Sequence, residues 1–306
     1  MDRGAALLGI PDDASILLAV SGGPDSVALL HGAASLVTSG ARGWQLSVAH
    51  LDHGLRPDSE ADARLVADAA ARFGLPCHVE RADVAGLARA SGRSLEEAGR
   101  DARYAFLESV AEVGALIATA HTRDDAVETV LLNLLRGAGL AGASGIPARR
   151  GRIVRPVLHE RRATLRELLD EAGVAYRIDP SNFDPAHVRN RVRAELVPVL
   201  ESLRSGATDR IARYSALAAE DDALLDALAR SELEARRAHD GSFDWRDPPV
   251  PALARRMLRL AAGDPAPNAE RIEALVDAAS GTRGGVRIEL GGGRTASVRA
   301  RRIRIG

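Results

Sequence analysis

The sequence contains no lysine. All 41 of its basic residues are arginines, set against 42 acidic residues, so the formal net charge is −1. Without a lysine side chain the protein can carry neither a Walker phosphate loop nor a Schiff-base lysine nor any other lysine nucleophile. The near-zero net charge gives no overall indication of nucleic-acid binding. We attribute the missing lysine to the base composition of the coding genome, because Lys and Arg often interchange on protein surfaces.

Cysteine is almost absent as well, since Cys77 is the only one. A single cysteine excludes an internal disulfide, a CxxC redox pair, and a zinc or iron–sulfur site built from several cysteines. In the segment "GLPCHVERADV" we expect Cys77 to be a small apolar residue at the start of a strand, because free cysteine is usually buried.

The sequence also lacks a long uncharged apolar run, although 46% of its residues are hydrophobic. Acidic residues flank the short apolar stretch near the start, "MDRGAALLGIPDDAS". We therefore expect no membrane span, no secretory signal and a cytoplasmic location. A chain of 306 residues can bury a full core, and its length favours two domains.

Short apolar runs alternate with helical patterns through the first half of the chain. The runs are "ILLAV", "QLSVAHL", "CHVERADV" and "ALIATAH", and each is followed by a helical pattern. This alternation predicts an α/β fold, with a parallel sheet covered by helices on both faces. After about residue 205 the pattern becomes mainly helical and ends in a short, basic, alternating tail. We therefore predict one domain at 1–205 and a smaller, mainly helical domain at 206–306.

Three of the four predicted strands end in polar segments, which are "SGGPDS", "HLDHGLR" and "HTRDD". Because ligands bind at the carboxyl ends of parallel strands, these segments are expected to converge on one crevice. In "SGGPDS" the glycines let the backbone approach an anion, and the serines can donate to phosphate oxygens. An acid beside phosphates, Asp25, suggests a bridging Mg²⁺. The alternative is an ordinary tight turn that caps a helix.

A second glycine motif, "GAGLAG" at 137–142, matches the dinucleotide pattern GxGxxG. It follows a helical pattern and does not link a strand to a helix. We therefore do not expect it to bind a dinucleotide.

The segment "SGGPDS" after an apolar strand resembles the pyrophosphate-binding loop of the PP-loop ATP pyrophosphatases, which split ATP between its α and β phosphates to adenylate a substrate. Further segments narrow the resemblance to the tRNA(Ile)-lysidine synthetases over most of the first 200 residues. They are "AHLDHGLRPDSEADA", "SLEEAGRDARYAFL", "TAHTRDDAVETVLLNLLRGAGLAG", "RPVL" and "SNFDPAHVRNRVRAELVPVL". The last third is similar only in general character, and we expect it to lack the further C-terminal module of longer members.

The resemblance implies a HUP-like PP-loop catalytic domain at 1–205 and a helical tRNA-binding domain at 206–306. The implied activity is ATP-dependent ligation of free L-lysine to the wobble cytidine of a tRNA(Ile) with a CAU anticodon. The reaction would pass through an adenylated cytidine and give lysidine. ATP and Mg²⁺ are the implied cofactors, and no protein partner is evident.

Specific residues follow from this resemblance and from their spacing. The triphosphate is expected on the loop residues Ser21, Gly22, Gly23, Pro24, Asp25 and Ser26. The adenine is expected near His50 and Leu51, and Mg²⁺ on Asp25 and Asp125. On a helix His121, Asp125 and Glu128 would share one face, so His121 or Asp125 could accept the proton of the lysine amine while Glu128 orients the amino acid. A helix N-terminus that simply favours acids is the alternative.

Arginines are the candidates for contact with phosphate. Arg100 and Arg193 are expected at the phosphates of the transition state, and Arg189 near the substrate. The stretch 149–162 is rich in arginine, and Arg149, Arg150 and Arg152 are expected to contact the RNA backbone. A solvated basic surface is the alternative for this stretch.

Two other functions stay open. One is tRNA thiolation by a related PP-loop enzyme, which shares the adenylation step but typically needs several cysteines. The other is a non-catalytic module that binds nucleotide or RNA. Such a module would predict loss of Asp25, Asp125 and Glu128, which are all present.

Overall fold

The computed structural model describes residues 1–56, 58–263, 266–281 and 285–306. The chain divides into two compact units, Met1–Ala216 and Leu217–Gly306. The domain boundary near residue 205 stays a prediction; the helix Ala207–Ala235 contributes residues to both units. Among the described residues, no helix is long and apolar enough to cross a membrane.

The first unit is built on a six-stranded sheet with the order β3-β2-β1-β4-β6-β5. Its strands are β1 (Ser15–Ala19), β2 (Gln45–Asp52), β3 (Cys77–Arg81), β4 (Leu116–Thr119), β5 (Arg149–Arg150) and β6 (Ile153–Val154). All neighbours are parallel except β5, which runs antiparallel to β6. The predicted α/β fold with a parallel sheet is confirmed.

Helices connect and cover these strands. They are α1 (Asp2–Leu7), α2 (Pro24–Thr38), α3 (Ser59–Arg72), α4 (Val84–Ser91), α5 (Leu95–Val110), α6 (Arg123–Leu135), α7 (Leu140–Ala143), α8 (Arg162–Glu171), α9 (Val188–Arg191), α10 (Val197–Leu203) and α11 (Ala207–Ala235). The start of α5 carries a capping box, in which the side chains of Ser94 and Glu97 each accept a hydrogen bond from the other's backbone N–H. The GxGxxG match at 137–142 lies in a turn and in α7, directly after α6.

The centre of β1 explains why the sheet is covered on both faces. Leu18 packs in a cluster with residues of α2, whereas its neighbour Leu17 packs in another cluster with Leu51 and Ile117. Successive strand residues point to opposite faces, so an uninterrupted apolar run such as "ILL" indicates a strand buried on both sides. The sheet is therefore rigid, and it holds the loops at its edge in fixed positions.

A π-helical segment, Val192–Leu196, joins α9 to α10. Pro198 is the second residue of α10 and has no backbone N–H to complete the helical ladder. Turns of π-helix are rare and are often found at functional sites. This segment carries Arg193.

The second unit contains α12 (Pro251–Ala262), α13 (Ala269–Ser280) and a four-stranded antiparallel sheet with the order β7-β10-β9-β8. These strands are β7 (Phe243–Asp244), β8 (Val286–Gly291), β9 (Arg294–Arg299) and β10 (Arg302–Ile305). Its core packs Met257 of α12, Leu275 of α13 and Trp245, which follows β7, against Val298 and Ile303 of the sheet. The expected helical unit with a short β-rich end is observed.

Leu18 tests the packing of the central strand, because none of its surface is exposed. Replacing Leu18 with alanine should lower the free energy of unfolding of the first unit by about 2–5 kcal/mol, since the removed atoms leave a cavity. Trp44 lies in the same cluster, so its fluorescence reports urea unfolding when Trp245 is replaced by Phe. The control Val113→Ala removes methyl groups from a fully exposed side chain and should leave the midpoint unchanged. Equal losses in both variants would contradict this description of the core.

Candidate active site

The register of the sheet brings the predicted polar segments to one edge. Ala19, the last residue of β1, pairs with Ala49 of β2 and with Thr119 of β4. The loop at 21–26 and His121 therefore begin within two residues of neighbouring strand ends. This edge is the carboxyl edge of the parallel sheet, where α/β proteins bind ligands.

The loop between β1 and α2 is shaped by a serine and two glycines. The Ser26 hydroxyl accepts a hydrogen bond from the Ser21 N–H at 3.1 Å and donates to the Gly23 carbonyl at 2.9 Å. Gly22 has φ of +88°, a conformation that other residues rarely adopt. Gly23 caps α2, so the positive end of this helix faces the loop. The loop is suited to bind an anion, and the two hydrogen bonds of the Ser26 hydroxyl hold its backbone in place.

Three carboxylates surround one guanidinium beside this loop. Arg162 contacts Asp25 at 3.1 Å, Asp125 at 2.9 Å and Glu128 at 3.3 Å. The Arg162 backbone N–H also donates to Asp124. The acids come from α2 and α6, and the guanidinium from the first residue of α8. We call Asp25, Asp125, Glu128 and Arg162 the acidic cluster.

Two further arginines reach this cluster from the segment around α9. Arg189 contacts Glu128 at 2.8 Å and Asp125 at 3.2 Å. Arg193 forms a bidentate pair with Glu128, through distances of 2.7 and 3.1 Å. Glu128 is only 2% exposed. Buried carboxylates are stable as anions only when they are paired in this way.

The three acids differ in the direction of their pKa shifts. Burial opposes ionisation of Asp125 and Glu128, but the adjacent guanidiniums outweigh it and lower the pKa of both. Burial raises the pKa of Asp25, assisted by the charge of Asp125 and only partly opposed by Arg162. Asp125 and Glu128 are therefore firmly anionic, whereas Asp25 has the weakest compensation of the three.

The fit of Mg²⁺ to these residues depends on which oxygens remain unbonded. Among the described residues there is no group of three metal-ligating side chains. Asp25 Oδ1 is buried without a hydrogen-bond partner, and one carboxylate plus substrate phosphates is a common Mg²⁺ environment. Asp125 instead accepts from Thr122, Arg162 and Arg189. Asp25 fits the ion, and Asp125 could join only by releasing an arginine.

His121 follows β4 and lies outside α6, which begins at Arg123, so the prediction that it shares a helical face with Asp125 and Glu128 is wrong. The strand β4 holds it instead. Its Nδ1 lies 2.9 Å from the Thr119 hydroxyl. Burial lowers the pKa of His121 to about 4, against an opposing effect of Asp125. The imidazole is therefore neutral near pH 7 and keeps one nitrogen able to accept a proton.

The two residues predicted near adenine are buried. His50 Nδ1 donates to the Val20 carbonyl at 2.8 Å, and its Nε2 is buried without a partner in the described part of the chain. The Leu51 side chain packs in the core with Leu17 and Phe106. Of the two, only His50 offers an unused polar atom, and the adenine contact stays a prediction.

Arginines that lack a carboxylate partner converge on Tyr104 of α5. The guanidinium carbons of Arg100, Arg103 and Arg150 lie 5.0, 5.6 and 5.9 Å from the centre of its ring. No ion pair within 4.0 Å joins these three or Arg155 to any acid that the structure describes. Arg155 is only 3% exposed. We call these four residues the arginine cluster.

Burial and mutual repulsion both disfavour the charged forms of arginines in this cluster. Burial lowers the pKa of Arg103 and of Arg155, and neighbouring arginines lower both further. Arg103 and Arg155 also act on His121, so the arginine cluster adjoins the site. Guanidiniums without counter-ions are an anion-binding arrangement, and bidentate phosphate is their preferred partner.

The basic stretch 149–162 does not act as one surface. Arg149 donates to the carbonyls of Leu8 and Gly151. Arg152 pairs with Glu108 and donates to the carbonyls of Glu112 and Ala115, which follow α5. Arg161 pairs with Asp209. Only Arg150 and Arg155 join the arginine cluster, and Arg162 joins the acidic cluster. Spacing along the sequence could not separate these positions, because neighbouring residues of strands and turns point in different directions.

Comparison with known proteins agrees with this geometry. A family model described as PP-loop domain matches residues 4–200. A tRNA(Ile)-lysidine synthase from Thermus thermophilus is 48% identical over 220 residues, which are 71% of this chain and 42% of that protein. The chain thus spans well under half the length of that relative.

A tRNA(Ile)-lysidine synthase from Salinispora tropica matches over nearly its whole length, with 39% identity across 97% of this chain and 92% of that protein. Among solved structures, a U34-tRNA thiolase from Methanococcus maripaludis has a TM-score of 0.59 at 16% identity, over 71% of this chain and 76% of that one. This last likeness shows the fold alone. From the family model and the Salinispora match, the chain belongs to the PP-loop domain family and, within it, to the tRNA(Ile)-lysidine synthases.

Proposed function

We propose that this protein joins free L-lysine to the wobble cytidine of a tRNA(Ile) with a CAU anticodon, at the expense of ATP, in the cytoplasm. The supporting observation is that three complementary features adjoin one sheet edge: an anion-binding loop, an acidic cluster and an arginine cluster. A triphosphate, an ammonium group and an RNA phosphate are the three charged groups that this reaction must bind together.

In the first step the carbonyl oxygen of the cytidine base attacks the α phosphorus of ATP, and pyrophosphate leaves. The loop 21–26 holds the departing phosphates with its backbone N–H groups and the positive end of α2. Asp25 Oδ1 is the ligand through which Mg²⁺ would offset the phosphate charge. The unpartnered His50 Nε2 is a suitable acceptor for the amino group of adenine.

The arginine cluster is our candidate for holding the target nucleotide. Within the described ranges no acid forms an ion pair with it, so a phosphate gains the full benefit of several guanidiniums. Tyr104 supports these side chains by cation–π contacts. Arg100 would contact phosphate in the transition state, as would Arg193 once it is released from Glu128.

In the second step the lysine ε-nitrogen attacks the base carbon, AMP leaves with the oxygen, and the nitrogen loses a proton. The anions of Asp125 and Glu128 are suited to bind an ammonium group of lysine. Arg162, Arg189 and Arg193 occupy that position in the protein alone, so an entering ammonium competes with them.

His121 is a better proton acceptor than Asp125. Asp125 already accepts hydrogen bonds from Thr122 and two arginines, which lowers its pKa and its basicity. His121 is neutral and makes one hydrogen bond to a hydroxyl, with Thr119. Of the two candidates, we therefore assign the proton to His121.

Thiolation is less well supported by the position of the single cysteine. Cys77 is the first residue of β3, at the sheet edge opposite to the site. Burial raises the pKa of its thiol, which makes the reactive thiolate scarcer.

Replacing Asp25 tests the first step of the proposed reaction. Asp25→Asn should reduce AMP formation and lysine incorporation at least about 100-fold, because the carboxylate that faces the phosphates is lost. Radiolabelled lysine and tRNA(Ile) transcript measure both products. Asp13→Asn, at an exposed acid of the same unit, should retain wild-type rates. Full activity of the Asp25 variant would contradict its role.

Replacing His121 distinguishes adenylation of the base from attack by the lysine amine. In His121→Gln, pyrophosphate release in the absence of lysine should persist, while lysidine formation should fall by about 10²–10⁴-fold, since glutamine cannot accept the proton. Both rates are measured in single turnover with the same tRNA. Equal loss of both steps would show that His121 acts before the amine attacks.

Replacing Arg150 tests whether the arginine cluster binds tRNA, and replacing its neighbour Arg149 is the control. Arg150→Gln should weaken tRNA binding and reduce the salt dependence of log Kd by about 1, because one phosphate contact is lost. Arg149→Gln removes the adjacent charge, which contacts the Leu8 carbonyl instead, and should change neither quantity. Fluorescence anisotropy with labelled tRNA gives both values. If the two variants behave alike, the cluster is not a tRNA contact.

A further inference from the structure

An irregular segment after α8 lies directly on the anion-binding loop. This segment, "VAYRID" at 174–179, has no regular secondary structure. The backbone N–H of Arg177 donates a hydrogen bond to the Gly22 carbonyl at 3.0 Å. A methyl group in place of a Gly23 hydrogen would lie 4.0 Å from the Arg177 carbonyl oxygen. The backbone of Arg177 is therefore close to both glycines of the loop.

The hydrogen bond from Arg177 sets the direction of the next N–H in the loop. A trans peptide unit is planar, and its C=O and N–H point in opposite directions. Because the Gly22 carbonyl points toward Arg177, the Gly23 N–H points away from it. Gly23 caps the start of α2, and the proposed function places the departing phosphates on the N–H groups of this loop.

The peptide between Gly22 and Gly23 needs an external contact to keep this direction. Glycine adopts positive and negative φ about equally well, so the φ of +88° at Gly22 is not enforced by the residue itself. The Ser26 hydroxyl bonds the Ser21 N–H and the Gly23 carbonyl, which belong to other peptide units. Among the described residues, the hydrogen bond from Arg177 is the one found on the Gly22 carbonyl.

The side chain of Arg177 ties the segment to the start of α3. Its Nε lies 2.5 Å from Asp62 Oδ1, and its Nη2 lies 2.6 Å from Asp58 Oδ2. Asp62 is buried and pairs with Arg56 as well. A methyl group on Gly22 would lie 3.6 Å from Asp62 Cβ. Arg177 is thus held by a buried carboxylate that itself lies against the loop.

We propose that Arg177 is a positioning residue for the phosphates of ATP. Its ion pairs with Asp58 and Asp62 hold its backbone N–H on the Gly22 carbonyl, and this directs the Gly23 N–H toward the phosphates. The inference rests on the proposed function for its ligand. The alternative is a set of ion pairs that only stabilises the unit, and it predicts no selective effect on phosphate binding.

The test is binding of a nucleotide with and without phosphates. Arg177→Ala removes both ion pairs and should weaken binding of α,β-methylene-ATP with Mg²⁺ about tenfold, as expected for loss of one hydrogen bond to a charged group. Its affinity for adenosine, which has no phosphate, should be unchanged. The control Arg64→Ala removes an exposed arginine of α3 and should retain both affinities. Isothermal titration calorimetry measures both ligands.

A second variant tests whether Arg177 acts through Asp62. Asp62→Asn should weaken binding of the ATP analogue in the same selective way. The double variant should lose no more affinity than the larger of the two single losses, because both changes break one contact. Arg177→Lys keeps one positive charge and should recover part of the affinity. Thermal melting checks that each variant is folded, and Asp62 keeps Arg56 as a partner when Arg177 is replaced.

Binding is measured without tRNA or lysine, so the result does not depend on catalysis. Unchanged affinity of Arg177→Ala for the ATP analogue, or equal losses for the analogue and for adenosine, would overturn the proposal. Fully additive losses in the double variant would show that Arg177 does not act through Asp62 and would overturn it as well. A selective loss for the analogue, in a protein whose wild type forms no lysidine, would support the proposal and contradict the proposed function alone.

Discussion

The pairing of β1 between β2 and β4 is the constraint from which the site follows. Because Ala19 is in register with Thr119, the anion-binding loop and His121 must leave the sheet side by side. The apolar run of β1 is buried on both faces, which keeps this strand at the centre of the sheet. The polar residues at this edge of the sheet are thus positioned by apolar core residues that take no part in the chemistry.

Charge is balanced on one side of the site and unbalanced on the other. Asp125 and Glu128 are paired with three arginines, and Asp25 is paired with one of these, Arg162, whereas no ion pair joins the arginine cluster to a described acid. Without ligands, these carboxylates are stable only because arginine side chains of the protein occupy the place that the cationic group of a ligand would take. Binding of a phosphate at one cluster and of an ammonium at the other would complete both. In the proposed reaction this would link recognition of tRNA to recognition of lysine.

The sequence was sufficient for the fold and for the position of the loop at 21–26, because both depend on local patterns. Apolar runs before helices predicted the parallel sheet, and "SGGPDS" predicted a loop that is observed between β1 and α2. The distribution of the arginines could not be predicted. Arg149 and Arg150 are adjacent but contact different parts of the unit, and Arg162 reaches acids 34 or more positions away. Only the three-dimensional fold decides which cation meets which anion.

Single-turnover reaction of wild-type protein with tRNA(Ile) and ATP radiolabelled at the α phosphate would observe the adenylated base itself. In the absence of lysine we expect label to become attached to the RNA, and addition of lysine should release all of it as AMP. Label that stays in ATP, appears as ADP or becomes attached to the protein would contradict the assignment of the loop and the edge of the sheet to adenylation of the cytidine.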